Sequence, residues 1–246
     1  MPLIETEGLR RDYRVGGVII RALDAVSLRI ERGEFVAVMG PSGSGKSTLL
    51  SILGCLDTPT AGRYWLDGRD VSGLSRDQRA MIRNSEIGFI FQNLNLLPRT
   101  TALENVEAAL QYAGVPAAGR RRRAEECLGA LELLDLAQHY PSQLSRGQQQ
   151  RIAIARALAN NPSLLLADEP TGALDTQTSR EILTLLQLLN QRGGVTIVLV
   201  THEPEVADYA SRKVTLRDGR VTTDERLPSN RPPREDFRRE APPCWP

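Results

Sequence analysis

Phe35-Val36-Ala37-Val38-Met39-Gly40-Pro41-Ser42-Gly43-Ser44-Gly45-Lys46-Ser47-Thr48 is the stretch on which the fold turns. Its first five residues are continuously apolar and predict a short strand buried on both faces. The nine that follow contain the spacing GxxxxGK[ST], and a helical stretch comes next. Gly40, Gly43 and Gly45 permit backbone conformations that aim N–H groups inward at phosphate oxygens. The N-terminus of the following helix adds partial positive charge. Lys46 can reach β- and γ-phosphates, and Ser47 can ligate Mg²⁺. The whole loop, with Pro41, Ser42, Ser44 and Thr48, is therefore a candidate phosphate cradle. All but two of the 31 Lys and Arg residues are arginine, so a lysine at position 46 is a chemical choice. A compact ammonium fits inside such a loop where a broad guanidinium does not.

Outward from this loop, short apolar runs recur at Ile87–Phe91, Ser163–Ala167 and Val195–Val200. Helical patterns lie between them at Ala102–Tyr112, Arg121–Leu136, Gly147–Ala159 and Gln177–Gln191. Strands alternating with helices predict an α/β fold with a parallel sheet covered on both faces. The alternating residues before Phe35 predict a small antiparallel β subdomain. The stretch of about 93–160 predicts an inserted helical subdomain. Leu216–Val221, with Asp218-Gly219 at its centre, predicts a terminal hairpin. One domain over 1–225 is expected, and from residue 226 the Pro, Arg and Glu composition predicts a disordered tail.

Leu164-Leu165-Leu166-Ala167-Asp168-Glu169-Pro170 is an apolar strand that ends in two acids. Acids at the C-terminal end of a parallel strand face the ligand crevice. Asp168 is expected to hold Mg²⁺ and Glu169 to act as general base on the attacking water.

A phosphate loop alone leaves many families open. Leu144-Ser145-Arg146-Gly147-Gln148-Gln149-Gln150-Arg151 narrows the choice. It resembles the ABC signature, usually LSGGQ, with Arg146 where the family has glycine. Ser145 offers a hydroxyl, Gly147 admits close backbone approach, and a helix start follows. The remaining motifs fall in the order of that family. Gln92 resembles the Q-loop glutamine that senses Mg²⁺ and the lytic water. Asp175, in Ala173-Leu174-Asp175, resembles the D-loop at the dimer seam. His202 resembles the switch histidine on the γ-phosphate, and Tyr13 resembles the aromatic that stacks on adenine.

The resemblance covers roughly residues 3–223 and implies a P-loop (RecA-like) ATPase of an ABC transporter. It implies ATP and Mg²⁺ as cofactors, and a two-fold ATP-sandwich dimer with a second copy or a homologous ATPase. In that dimer Ser145, Gly147 and Gln148 meet the partner's nucleotide. A separate transmembrane permease is implied, with a periplasmic adaptor reached through it. Asn84–Gln92, Asn95–Pro98, Thr101–Val106, Tyr112–Val115 and Thr201–Pro204 resemble the macrolide-exporter and lipoprotein-release subfamily. The same engine could serve a regulator of a membrane complex, or a soluble ABC ATPase acting on nucleic acid or ribosomes. The latter usually has two cassettes or a long coiled coil, and this chain has neither.

Bulk properties agree with that choice. The formal net charge of +1 points to no polyanionic partner, so no nucleic acid is expected. Arg120–Arg123 reads as a solvated helix start rather than an anion patch. Cys55, Cys127 and Cys244 form no CxxC pair, which predicts neither a zinc site nor a disulfide scaffold. The N-terminal residues do not read as a signal peptide, and no apolar run approaches the roughly 20 residues of a membrane span. The expected location is the cytoplasmic face of the membrane, through the permease.

Overall fold

The computed structural model describes Met1–Leu227. In chain order its elements begin with β1 (Pro2–Val15), β2 (Val18–Glu31), β3 (Phe35–Met39), α1 (Lys46–Leu53), β4 (Ala61–Leu66), β5 (Arg69–Asp70), α2 (Arg76–Ser85) and β6 (Ile87–Ile90). Then come α3 (Ala102–Tyr112), α4 (Ala117–Ala130), α5 (Arg146–Leu158), β7 (Leu164–Asp168), α6 (Thr176–Gly193), β8 (Thr196–Val200), α7 (Pro204–Ala207), β9 (Arg212–Arg217) and β10 (Arg220–Arg226). The described residues divide into two compact units, 1–83 with 196–227, and 84–195.

In the first unit β3 lies parallel to both β8 and β9, with β10 antiparallel to β9. Phe35, Val36, Ala37 and Val38 are buried, as a strand covered on both faces requires. A separate antiparallel sheet has the order β2-β1-β4-β5. The sequence suggested only its part before Phe35. Residues 61–70 join it because Thr6 pairs with Tyr64, whose buried hydroxyl donates to the Leu53 carbonyl at 2.8 Å.

In the second unit β6 and β7 run parallel, and α3, α4 and α5 lie between them in sequence. A reciprocal capping box between Thr101 and Glu104 starts α3. The helix expected at Arg121–Leu136 differs. It starts at Ala117, directly after Pro116, and stops at Ala130. Glu132 then adopts the left-handed conformation (φ 61°) that ends a helix, and a single 3-10 turn covers Leu134–Leu136. Arg121 and Arg122 pair with Glu125 and Glu126 on the surface of α4.

Arg226 is the last residue of β10 and pairs with Arg212, so the strand includes the first residue expected to be disordered. Leu227 of that expected tail is placed as well, its N–H donating to the Ser211 carbonyl at 2.9 Å, and the tail from residue 228, with Cys244, lies outside the described residues. Cys55 and Cys127 are buried thiols, not joined in a disulfide, and burial pushes the Cys55 thiol up to about 11. Among the described residues no helix is long and apolar enough to cross a membrane.

Candidate active site

The phosphate loop leaves the C-terminal end of β3. Gly40, Gly43 and Gly45 have φ of 151°, 79° and 101°, all unfavourable to a side chain. Two of them also need the space. A Cβ on Gly40 would lie 2.2 Å from the Leu216 carbonyl oxygen, and one on Gly45 would lie 2.4 Å from that of Ala22. Gly43, by contrast, faces open space. The terminal hairpin supports the loop from behind: the Gly219 N–H donates to the Ser44 carbonyl at 3.1 Å.

Lys46 is 8 % exposed, and its Nζ donates to the carbonyls of Gly40 and Pro41 at 2.9 Å each. The ammonium is thereby fixed within the loop. The Ser44 hydroxyl is buried without a hydrogen-bond partner, an orphan that a phosphate oxygen would satisfy. Pro41, Ser42 and Ser47 are exposed, and Thr48 is half-buried in the first turn of α1.

Strand register sets the next residue. Val38 is opposite Val200, so two residues on, Gly40 and His202 leave the same end of neighbouring parallel strands. Thr201 anchors the base of His202, because its N–H donates to the Val38 carbonyl and its hydroxyl accepts from Glu203 N–H. His202 itself is exposed.

Tyr13, on β1, is half-buried and held at its hydroxyl and over one ring face. Its hydroxyl donates to Asp57 at 2.9 Å, and the Arg11 guanidinium lies 4.6 Å from the ring centroid. Arg11 also pairs with Asp57 at 2.8 Å. One ring face is thus taken by a cation. The same hairpin exposes Val15, Val18, Ile19 and Ile20.

The second unit repeats the register rule. Ile90 is opposite Ala167, so two residues on, Gln92 meets Glu169. Gln92 Nε2 donates to Glu169 Oε2 at 3.1 Å. Glu169 holds a left-handed backbone (φ 44°), a strained conformation for a side-chain-bearing residue. Asp168, the last residue of β7, is half-buried. Gly172 leaves room for the pair, since a Cβ there would stand 3.2 Å from Gln92 Nε2.

Ser145 is the N-cap of α5. Its hydroxyl accepts from Gln148 N–H at 3.2 Å, and Gln148 Oε1 accepts from Ser145 N–H at 2.9 Å. Arg146 is the first residue of α5, so an arginine in the glycine position leaves the helix start intact. Asp175 caps α6, accepting from Gln177 N–H and Thr178 N–H at 3.0 Å each and from the Thr178 hydroxyl at 2.6 Å. The Thr178 hydroxyl bond, first among the causes, holds the exposed Asp175 carboxyl below its usual range.

Three residues that support the site were given no role of their own by the sequence. Arg156 of α5 donates to the Leu94 and Asn95 carbonyls at 2.8 and 2.6 Å. Asn105 of α3 is fully buried and binds the backbone of Leu97, Thr100 and Thr101. Thr178 contacts Gly147, as set out below. Only Thr178 had a usable signal, the Asp-x-x-Thr spacing of a capped helix start. In the stretch after Gln92, Leu94 is buried, Leu96 is half-buried and Leu97 is exposed. Leu94 and Asn95 both take left-handed backbones, with φ of 59° and 49°.

Comparison with known proteins gives one consistent picture. A family model described as ABC transporter matches residues 23–172. A macrolide export ATP-binding/permease protein, MacB, from Syntrophobacter fumaroxidans is 56% identical over 221 residues, covering 89% of this chain and 31% of its own length. The chain thus spans about a third of such relatives. The ABC transporter ATP-binding protein MJ0796 from Methanocaldococcus jannaschii is 51% identical over 229 residues, covering 92% of this chain and 97% of its own. A dimeric structure of the ATP-binding cassette MJ0796, in a post-hydrolysis state bound to ADP and Pi, superposes with a TM-score of 0.84 at 49% identity. It covers 92% of this chain and 99% of that one.

Proposed function

This chain belongs to the ABC transporter family as an ATPase cassette, and from that premise we propose that it drives a separate membrane permease by ATP-dependent dimer closure. Residues 1–225 form the ATPase domain in this reading, with about 93–160 as its helical subdomain. The observation that carries it is the bond from Gln92 to Glu169 on the ends of paired strands. A neutral amide donor positions the carboxylate without placing a positive charge beside it, as suits a group that accepts a proton from water.

The phosphates of ATP are bound by the inward N–H groups of Gly40–Thr48 and by Lys46, which exchanges its loop carbonyls for β- and γ-oxygens. Tyr13 offers the ring face opposite Arg11 to the adenine. Ser47 and Asp168 would hold Mg²⁺, which when bound neutralises charge on the transferring phosphoryl group. Among the described residues no cluster of three or more His, Cys, Asp or Glu could hold a metal alone. One hydroxyl and one acid fit Mg²⁺, which is usually completed by substrate phosphates and water. Glu169 accepts the proton of the attacking water, Gln92 orients that water, and His202 donates to the γ-phosphate.

The second nucleotide contact comes from another copy. Ser145, Gly147 and Gln148 present a helix start to the nucleotide held by the partner, and Asp175 lies at the seam. Two-fold symmetry then gives two shared sites. Leu97, exposed close behind Gln92, offers an apolar contact for a cytoplasmic helix of the permease. The proposed location is the cytoplasmic face of the membrane, and the MacB relatives, named as ATP-binding/permease proteins, support a permease partner. A periplasmic adaptor would be reached only through that permease.

The test is Glu169→Gln. The purified variant is expected to bind ATP, lose at least about a hundredfold in turnover, and accumulate as a dimer with ATP but not with ADP. Full turnover would remove Glu169 as the base. A monomer in saturating ATP and Mg²⁺ by light scattering, with the permease also present, would remove the dimer.

A further inference from the structure

We infer that Thr178 is a positioning residue that locks the Ser145–Gln148 turn to Asp175, and that Gly147 is glycine because of it. A Cβ built on Gly147 would lie 2.6 Å from the Thr178 methyl, but 3.8 Å from its hydroxyl. The first distance is an overlap and the second is ordinary contact. Gly147 does not have a positive φ, so no backbone requirement selects glycine there. What selects it within this chain is the methyl group of Thr178.

A threonine methyl could ordinarily rotate away, but this one is held. The Thr178 hydroxyl donates to Asp175 at 2.6 Å, and the Thr178 N–H donates to the other oxygen of the same carboxylate. Turning the methyl aside would break the hydroxyl bond, because both groups share one χ1. Any displacement at Gly147 is therefore passed to Asp175. A second brace runs parallel, from Arg151 of α5 to Glu181 of α6 at 2.8 Å. The turn that starts α5 and the cap that starts α6 thus move as one piece. This inference rests on the dimer proposed above, in which both parts face the partner subunit.

The experiment is a set of variants in the Glu169→Gln background, read by ATP-dependent dimer affinity. The ATP affinity of the monomer and the thermal midpoint are measured alongside. Gly147→Ala is expected to weaken the dimer about tenfold or more, as overpacking does. Adding Thr178→Ser, which deletes the methyl and keeps the hydroxyl, is expected to restore it to within about threefold of the parent, since the residual term is a small one. Thr178→Val keeps a methyl against Gly147 and loses the bond to Asp175. It is expected to weaken the dimer about tenfold while monomer ATP affinity stays unchanged, a separation that general destabilisation would not produce. If Gly147→Ala does not fold, Thr178→Val and Thr178→Ser decide alone, the first weakening the dimer and the second not. Failure of Thr178→Ser to rescue a folded Gly147→Ala would overturn the inference, as would a Thr178→Val dimer as tight as the parent. A parent that forms no dimer would instead overturn the proposed function.

Discussion

The loop at 40–45 and the segment at 91–101 make the same kind of connection. Each leaves the C-terminal end of a parallel strand and leads into a helix, yet they are held by opposite means. The first is held by backbone. Its glycines approach the carbonyls of Leu216 and Ala22, the Gly219 N–H supports Ser44, and Lys46 binds the loop's own carbonyls. The second is held by side chains that arrive from elsewhere. Leu94 and Asn95 take left-handed backbones without being glycine, and Arg156 and Asn105 fasten their carbonyls and those that follow. A backbone-held loop should be damaged by adding atoms. A side-chain-held loop should be damaged by removing them.

The largest effect is expected where addition is least tolerable. Gly40→Ala places a methyl into the Leu216 carbonyl at a φ of 151°, combining overlap with backbone strain. A loss of about 3–5 kcal/mol is expected, the sum of an overpacking and a strain term. ATP binding by the folded fraction should fall with it. Urea unfolding and nucleotide titration check this, and a Gly40→Ala protein with parental stability would end the contrast.

Removal should tell next at Asn105. Its fully buried amide binds five backbone or hydroxyl groups between Leu97 and Thr101. Asn105→Ala orphans several of them at once, and about 2–4 kcal/mol of stability should go. Hydrogen exchange should locate the loosening at 97–101 rather than at the phosphate loop. Arg156→Gln comes after it, at about 1.5–3 kcal/mol for charged hydrogen bonds to two carbonyls. Arg156→Lys should not restore the loss, because one ammonium lacks the planar fork that meets Leu94 and Asn95 together. Equal stability of the lysine and arginine forms would show that charge alone suffices.

This difference also explains what could be read from the sequence. The phosphate loop was legible because its geometry is written in consecutive residues: an apolar run, three glycines, one lysine. The pairing of Gln92 with Glu169 was legible in part, since each follows a strand, but their contact depends on register between strands 77 positions apart in the chain. The contacts of Arg156 and Asn105 could not be read, although Asn105 lies within the Thr101–Val106 resemblance. Each looks like an ordinary helix residue until the fold brings a loop carbonyl to it. Residues 61–70 escaped for the same reason, because their strand character is fixed by β1. The end of α4 was missed because a left-handed Glu132 stands where a glycine would have marked the stop.

The smallest effect on stability, and the sharpest on function, is expected at Leu97. Its backbone is among the best fixed in the segment: its N–H donates to Asn105 Oδ1 at 2.8 Å, and its carbonyl accepts from Asn105 Nδ2 and the Thr100 hydroxyl. Its side chain is 48% exposed, so little packing is lost when it changes. A rigid backbone carrying an exposed apolar group is well suited to present that group to a partner, with little ordering cost left to pay on binding. Leu96 is a poorer probe, since it is half-buried and its substitution would mix packing with recognition. Leu97→Glu should therefore shift stability by no more than about 0.5 kcal/mol and leave basal ATP hydrolysis near the parental rate. A carboxylate placed against an apolar permease helix must be desolvated, which costs far more than the lost leucine contact. Co-purification with the permease, and stimulation by it, should both disappear. A Leu97→Glu protein still stimulated by its permease would move the docking surface away from this segment. A marked loss of stability would show that the leucine is a packing residue after all.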